Sequence, residues 1–328
     1  MNRITRDRPK IDSIARSLML TAGALLTLAC GKPAADAGSV AQSVAAVPAA
    51  PAPSTIDWAA VDSAMGRTGA VQAGEVHRYA MPRSDLKVVS KGVAIRPGFA
   101  LGSYLVFLPT GGNDALVMGD LVLTEAERDP VLVRLEQGGV EVTASHKHLL
   151  EESPRIWWTH IHAHGDPVVI ARAVKDGLSL SGTPAAAPPA PPAAKLPLDT
   201  AQIDQILGQA GRANGGIYQF TVARVEKIHT GGIELPPTMG LATAINFQPT
   251  GDGKAAVNGD FVIVGSEVNG VLRALGDNGI SVVEVHNHML DEEPRLFFMH
   301  FWANDDALKL AHGLRAALDK TSSVRSGG

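Results

Sequence analysis

The chain carries a single cysteine, Cys30, in 328 residues. One thiol excludes an intrachain disulfide and every cysteine-rich zinc site. Charge of one sign is also lacking: the net charge is −4. With no basic excess, a nucleic-acid partner is not expected. Aromatic residues are scarce, at 5%, and the adjacent pairs Trp157-Trp158 and Phe297-Phe298 read as core and pocket wall, not as a carbohydrate platform. No apolar run is long enough to span a bilayer comfortably; the nearest, Ser17 to Ala29, is too short.

That short run follows Arg3, Arg6, Arg8, Lys10 and Arg16, so residues 1–29 read as a secretory signal peptide. Leu28-Ala29-Cys30-Gly31 resembles a bacterial lipobox, which makes Cys30 the expected lipidation site. Residues 30–54 are rich in Ala, Pro and Ser and read as a flexible tether. A second Pro/Ala-rich stretch, residues 183–198, reads as a stiff linker of polyproline II type. The expected location is the bacterial cell envelope, extracytoplasmic, with a membrane as partner through the lipid anchor.

Between these segments lie two blocks, 55–182 and 199–322, with residues 323–328 as a disordered tail. The blocks are repeats. Residues 115–164 and 255–304 align without a gap and share nineteen of fifty positions. Each repeat is long enough to fold alone, so this is duplication of a domain and not a solenoid. The patterning of one repeat predicts the order α-β-β-β-β-α-β-β-α. Short helices over Ile56 to Met65 and Thr200 to Leu207 stop at Gly66 and Gly208. A central helix is expected to start at Asp129-Pro130, with Asn269 at the cap in repeat two. The fold class is α+β: two tandem homologous domains, each a mostly antiparallel sheet with helices packed on it.

The chemistry lies in a duplicated histidine cluster. His146-Lys147-His148 is followed by Pro154-Arg155 and His160; His286-Asn287-His288 is followed by Pro294-Arg295 and His300. Alternate residues of a strand share a face, and imidazole is the commonest protein metal ligand. A hairpin centred on residue 154 would set His148 opposite His160 and His146 opposite His162. The six histidines His146, His148, His160, His286, His288 and His300 are therefore candidate ligands for a divalent metal, zinc first, with iron or manganese as alternatives. One His-rich pocket is expected in each repeat. Glu127 and Glu267 lie at a strand exit, where each would complete the metal shell or serve as general base for hydrolysis. Arg83 with Asp85, and Arg224 with Glu226, recur at i, i+2, as a structural ion pair or as a clamp on a ligand. Asp120 and Asp260 are candidates to orient an imidazole. His162 and His164 have no counterpart in repeat two. A metal-free polar pocket, holding a small ligand or an envelope component without catalysis, is the competing reading. Purely structural histidines are a third.

The motifs Pro82-Arg83-Ser84-Asp85-Leu86, Met118-Gly119-Asp120-Leu121-Val122-Leu123 and Val285-His286-Asn287-His288-Met289-Leu290 with Glu293-Pro294-Arg295 resemble the LppY/LpqO family of bacterial lipoproteins. The resemblance covers both repeats. It implies a lipid-anchored location and a tandem domain type, and no reaction. Lys147 departs from the pattern that Asn287 keeps; strand alternation predicts that its side chain points away from the histidines.

Overall fold

The computed structural model describes residues 53–186 and 195–324. The segment read as a signal peptide, the expected lipidation site Cys30, nearly all of the expected tether, residues 187–194 of the expected linker and residues 325–328 of the expected tail lie outside the described residues.

Repeat one begins with α1 (Trp58–Met65), whose first turn is capped by the Asp57 carboxylate. Gly66 ends it in the left-handed region at φ 70°, where a side chain would be strained. There follow β1 (Ala70–Val71), β2 (His77–Pro82), β3 (Val88–Ser90), β4 (Val93–Ile95), the short turn α2 (Pro97–Ala100), β5 (Gly102–Gly111) and β6 (Asp114–Thr124). Then come α3 (Glu125–Gln137), β7 (Glu141–His146), β8 (Glu152–Ser153), β9 (Ile156–Gly165) and α4 (Pro167–Leu178). The expected order holds, with β1, β4, α2 and β8 as short additions. Helix α3 begins five residues earlier than predicted, with Thr124 and not Asp129 at the cap. Thr124 and Glu127 form a capping box there, which supplies the orphan amides and leaves Pro130 inside the helix.

Repeat two copies the plan. Its elements are α5 (Thr200–Leu207), β10 (Arg212–Asn214), β11 (Ile217–Val222), β12 (Ile228–Thr230), β13 (Ile233–Leu235), β14 (Thr243–Gly251) and β15 (Lys254–Val264). Helix α6 (Val268–Asp277), β16 (Ser281–His286), β17 (Glu292–Glu293), β18 (Leu296–Asp306) and α7 (Ala307–Leu318) complete it. Helix α6 is capped at Glu267, not at Asn269.

Each repeat forms a six-stranded sheet, ordered β1-β2-β5-β6-β9-β7 and β10-β11-β14-β15-β18-β16. Every pairing is antiparallel. Strands β6 and β7 run parallel, as a crossover through α3 requires, with β9 between them. The strands β3, β4 and β8 form a small second sheet, as do β12, β13 and β17.

Alternation decides which face goes where. In β6, Ala115, Val117, Leu121 and Leu123 pack with Val131 and Leu135 of α3 and Ile170, Ala171 and Val174 of α4. The other face carries Leu116, Met118 and Val122. It packs not on helices but on the other repeat. Val106, Leu108, Leu116 and Met118 share a core with Ile228, Leu235, Val262 and Phe298. The mirror arrangement joins Val88, Ile95, Val122 and Trp158 to Ile217, Ala256 and Trp302. The layers are therefore helix, sheet, sheet, helix, with a pseudo-two-fold between the sheets. Polar contacts tie the repeats as well: the Gln248 side chain accepts from Arg96 N and donates to Ala94 O, at 2.9 and 2.7 Å.

Candidate metal centre

The histidine strands pair in a different register from the expected hairpin. His146 lies opposite Trp158 and Ala144 opposite His160, with a bulge between Val142 and Ala144; Glu141 lies opposite His162. The partner of His146 is thus residue 158 and not 162. The reason is the connection: residues 147–155 do not turn tightly, because Glu152–Ser153 leave to pair with β3. The displacement is even in number, so His146 and His160 still share a face. His148 lies beyond the end of β7.

That shared face is the one that meets the other repeat. The expectation of one pocket in each repeat is corrected on this point: the two clusters occupy a single space between the sheets. His146 stacks on His286 at 3.7 Å between ring centroids, His148 on His300 at 3.7 Å, and His160 lies 3.6 Å from His288. His146 Nε2 and His148 Nε2 are 2.8 Å apart. Three trios bring one nitrogen per residue within 4.8 Å of one another: His146, His148 and His300; His146, His160 and His286; and His286, His288 and His300. The first two mix the repeats. Trp158 stacks on His148 at 4.6 Å, and Phe298 lies over His288 at 3.2 Å, so the second residue of each aromatic pair forms a wall.

The cluster is dry. His146, His160, His288 and His300 are buried. Burial lowers His160 to about 3, helped by nearby His300, and lowers His300 to about 4. His146, His148, His286 and His288 are lowered too, by burial first and then by neighbouring imidazoles. Near neutral pH all six are uncharged, the state that ligates metal. The backbone sets two tautomers. The carbonyl of Gly119 lies 3.4 Å from His160 Nδ1, and that of Gly259 lies 3.1 Å from His300 Nδ1. A carbonyl can only accept, so Nδ1 carries the proton and Nε2 keeps its lone pair. Those two Nε2 atoms have no hydrogen-bond partner among the described residues, nor do His146 Nδ1, His288 Nε2 or either nitrogen of His286.

Each sheet adds a carboxyl group. Asp120 lies opposite His160 in β6 and β9, and Asp260 opposite His300 in β15 and β18. Asp120 Oδ2 is 3.8 Å from His148 Nε2, beyond a hydrogen bond, and Oδ1 has no hydrogen-bond partner among the described residues. Burial, and then the charge of Asp260, raises Asp120 to about 8; burial raises Asp260 to about 7. The repeated Gly-Asp dipeptide thus serves the cluster twice. Its glycine presents the carbonyl to a histidine, and its aspartate faces the rings. A Cβ on Gly119 would come 2.8 Å from Tyr104 O, which explains the glycine.

The glutamates go elsewhere, and the expectation for them is corrected. Glu127 binds Arg83 through both oxygens, at 2.9 and 3.0 Å, and accepts from Thr124 N and Gly182 N. Burial alone would raise it, but these donors outweigh burial and hold it at about 2. Glu267 repeats this with Arg224, Val264 N and Ser322 N. A carboxylate so engaged is neither a metal ligand nor a general base. Arg83 is fully buried, bound also to Asp85 and Val122 O; Arg224 binds Val262 O and pairs with Glu226 at 3.0 Å. These pairs are structural staples, closed to a ligand. Outside the cluster, His162 faces Glu141 at 3.3 Å and His164 faces Thr110 at 3.0 Å. Lys147 points away as predicted, donating to Glu152 and Ile156 O and lying over Trp157. The sharing of one site by two repeats is what sequence reasoning missed. The signal was present in the even apolar positions of β6, which make its second face as hydrophobic as its first.

Fold and site together define a tandem-repeat α+β protein with a histidine-lined centre between its repeats. The chain belongs to the family described as Domain of Unknown Function (DUF1259), whose profile matches residues 59–180 and 201–320. A search of curated proteins returned no match. Among solved structures, the trimeric bacterial microcompartment shell protein PduB aligns at 13% identity over 76% of this chain and 88% of its own, with a TM-score of 0.20. The double-ringed trimeric shell protein MSM0271 from the RMM microcompartment aligns at 10% identity over 67% and 88%, with a TM-score of 0.18. Scores this low carry no inference about fold or function.

Proposed function

We propose that the paired repeats form a divalent-metal-binding protein of the cell envelope, with ions held by the histidines between the two sheets. Zinc fits first, with iron or manganese as alternatives, since neutral imidazoles with a nearby carboxyl group suit all three. One observation carries the reading: six buried imidazole nitrogens have no hydrogen-bond partner among the described residues. Each buried unsatisfied group costs about 1–3 kcal/mol. Six of them rival the net stability of a domain, about 5–15 kcal/mol. Coordination to a cation would offset that cost, and hydrogen bonding within the protein does not. A hydrolytic role loses its proposed base, because Glu127 and Glu267 are held by arginines, so the reading is of a binder. Resemblance to the LppY/LpqO lipoproteins and the lipobox-like run at Cys30 support a lipid-anchored, extracytoplasmic location.

The test is metal analysis of the purified chain after loading with Zn²⁺, Fe²⁺ or Mn²⁺. Stoichiometric metal, lost in the double variant His146→Ala with His286→Ala, is the expected outcome. Absence of metal under every loading condition would sink the reading. Detergent partitioning of wild type against Cys30→Ser checks the anchor: the variant should leave the membrane fraction.

A further inference from the structure

We infer that the cluster is two adjacent metal sites, each built from the His-x-His of one repeat and the third histidine of the other, with one aspartate beside each. This rests on the metal-binding reading above and adds the number and composition of the sites.

The rings sort into two matching sets. In the first, the His146–His148, His148–His300 and His146–His300 centroids are 4.9, 3.7 and 4.9 Å apart. In the second, His286–His288, His288–His160 and His286–His160 are 5.2, 3.6 and 5.3 Å apart. Every histidine is used once, and the pseudo-two-fold exchanges the sets. Grouping by repeat also pairs the rings, His146–His148 and His146–His160 at 4.9 and 4.6 Å and His286–His288 and His286–His300 at 5.2 and 4.8 Å, but it leaves each set one contact short, for among the described residues His148 and His288 meet their second histidine ring in the opposite repeat.

Nitrogen positions agree for the first set, whose three ligand atoms lie within 4.8 Å of one another. The other two trios each share a histidine with it. A neutral imidazole has one free lone pair, so overlapping trios cannot be filled together. Filling the first set leaves His160, His286 and His288, which is its symmetry mate. The 2.8 Å between His146 Nε2 and His148 Nε2 suits two ligands of one ion, since bonds of about 2.0–2.1 Å set neighbouring ligand atoms roughly 3 Å apart. Asp120, with Oδ2 3.8 Å from His148 Nε2 and a buried Oδ1 that has no hydrogen-bond partner among the described residues, is the oxygen donor at hand for the first set. Asp260, opposite His300 as Asp120 is opposite His160, is the matching carboxyl group of repeat two. His146 and His286, stacked at 3.7 Å, bring the two sites side by side.

Zinc content of the full chain and its variants decides the matter. Wild type should hold about two equivalents, given two three-histidine sites, and His148→Ala should hold half as much. The decisive pair is H148A/H300A against H148A/H160A. The first removes two ligands of one site and should keep half the wild-type metal. The second strikes both sites and should lose nearly all. The reverse order would overturn the cross-repeat assignment in favour of sites within repeats. One equivalent in wild type would overturn the two-site inference and leave metal binding intact; none would overturn both. A measurement free of variants guards against misfolding. Wild type fully loaded with Cu²⁺ should show spin–spin coupling in its paramagnetic resonance spectrum that the half-loaded protein lacks. An uncoupled spectrum at full loading would overturn the adjacency of the sites.

Discussion

Glu127 shows how one side chain can look catalytic in sequence and be structural in space. It joins a helix cap, a buried arginine and the chain leaving α4 at Gly182. Its carboxyl group is held at about 2, below its unfolded value. A depressed acid contributes stability above the unfolded pKa and loses it as pH falls through the folded one. Glu127→Gln should therefore cost about 1–3 kcal/mol near pH 7 after allowance for solvent screening. Urea melts of variant and wild type should converge between pH 4.5 and about 2, and metal content should be unchanged. Loss of metal in this variant would return the glutamate to the ligand shell. Gly259 makes the complementary case. An added Cβ would collide with the Ala244 carbonyl, so Gly259→Ala should cost about 1–3 kcal/mol, visible as a lower melting temperature.

At the scale of elements, the strands and helices were largely legible and their pairing was not. Caps and stops such as Gly66 and Gly208 are local chemistry, and local chemistry is written in adjacent residues. The register of β7 against β9 depends instead on where Glu152–Ser153 find a partner, a contact some sixty residues away in the chain. Parity survived the shift, so the face shared by His146 and His160 was read correctly from alternation. The meeting of two such faces across repeats left a trace only in the apolar even positions of β6, which say that the second face is buried and not what covers it. The loop from β7 to β9 yields its own prediction. Lys147 braces it from outside through Glu152 and Ile156 O. Lys147→Met should lower thermal stability while metal content and affinity stay as in wild type. A large change in affinity would mean that the lysine reaches the cluster.

On the scale of the whole molecule, the interface between sheets is a core in its own right. Val262, Leu296, Phe298, Trp158 and Trp302 are all buried in it. A chain cut by a protease site placed within 187–194 should therefore elute as one species in gel filtration, with its metal retained. Separation of the halves would mean that the apolar contact is too weak to hold without the linker. Metal should add to this adhesion: removal with a chelator should lower the melting temperature of the nicked protein more than that of the intact one, because only the nicked form must hold two pieces together.

The pseudo-two-fold between the sheets has a consequence for ancestry. A face that meets its own copy is an isologous contact, the kind that builds a symmetric dimer from identical chains. A single-repeat forebear would have had to dimerise to assemble these histidines at all. Fusion then made the pairing intramolecular and freed the halves to differ, as Lys147 and Asn287 do, and His162 and Trp302. Present-day chains with one repeat and the same histidines should be homodimers.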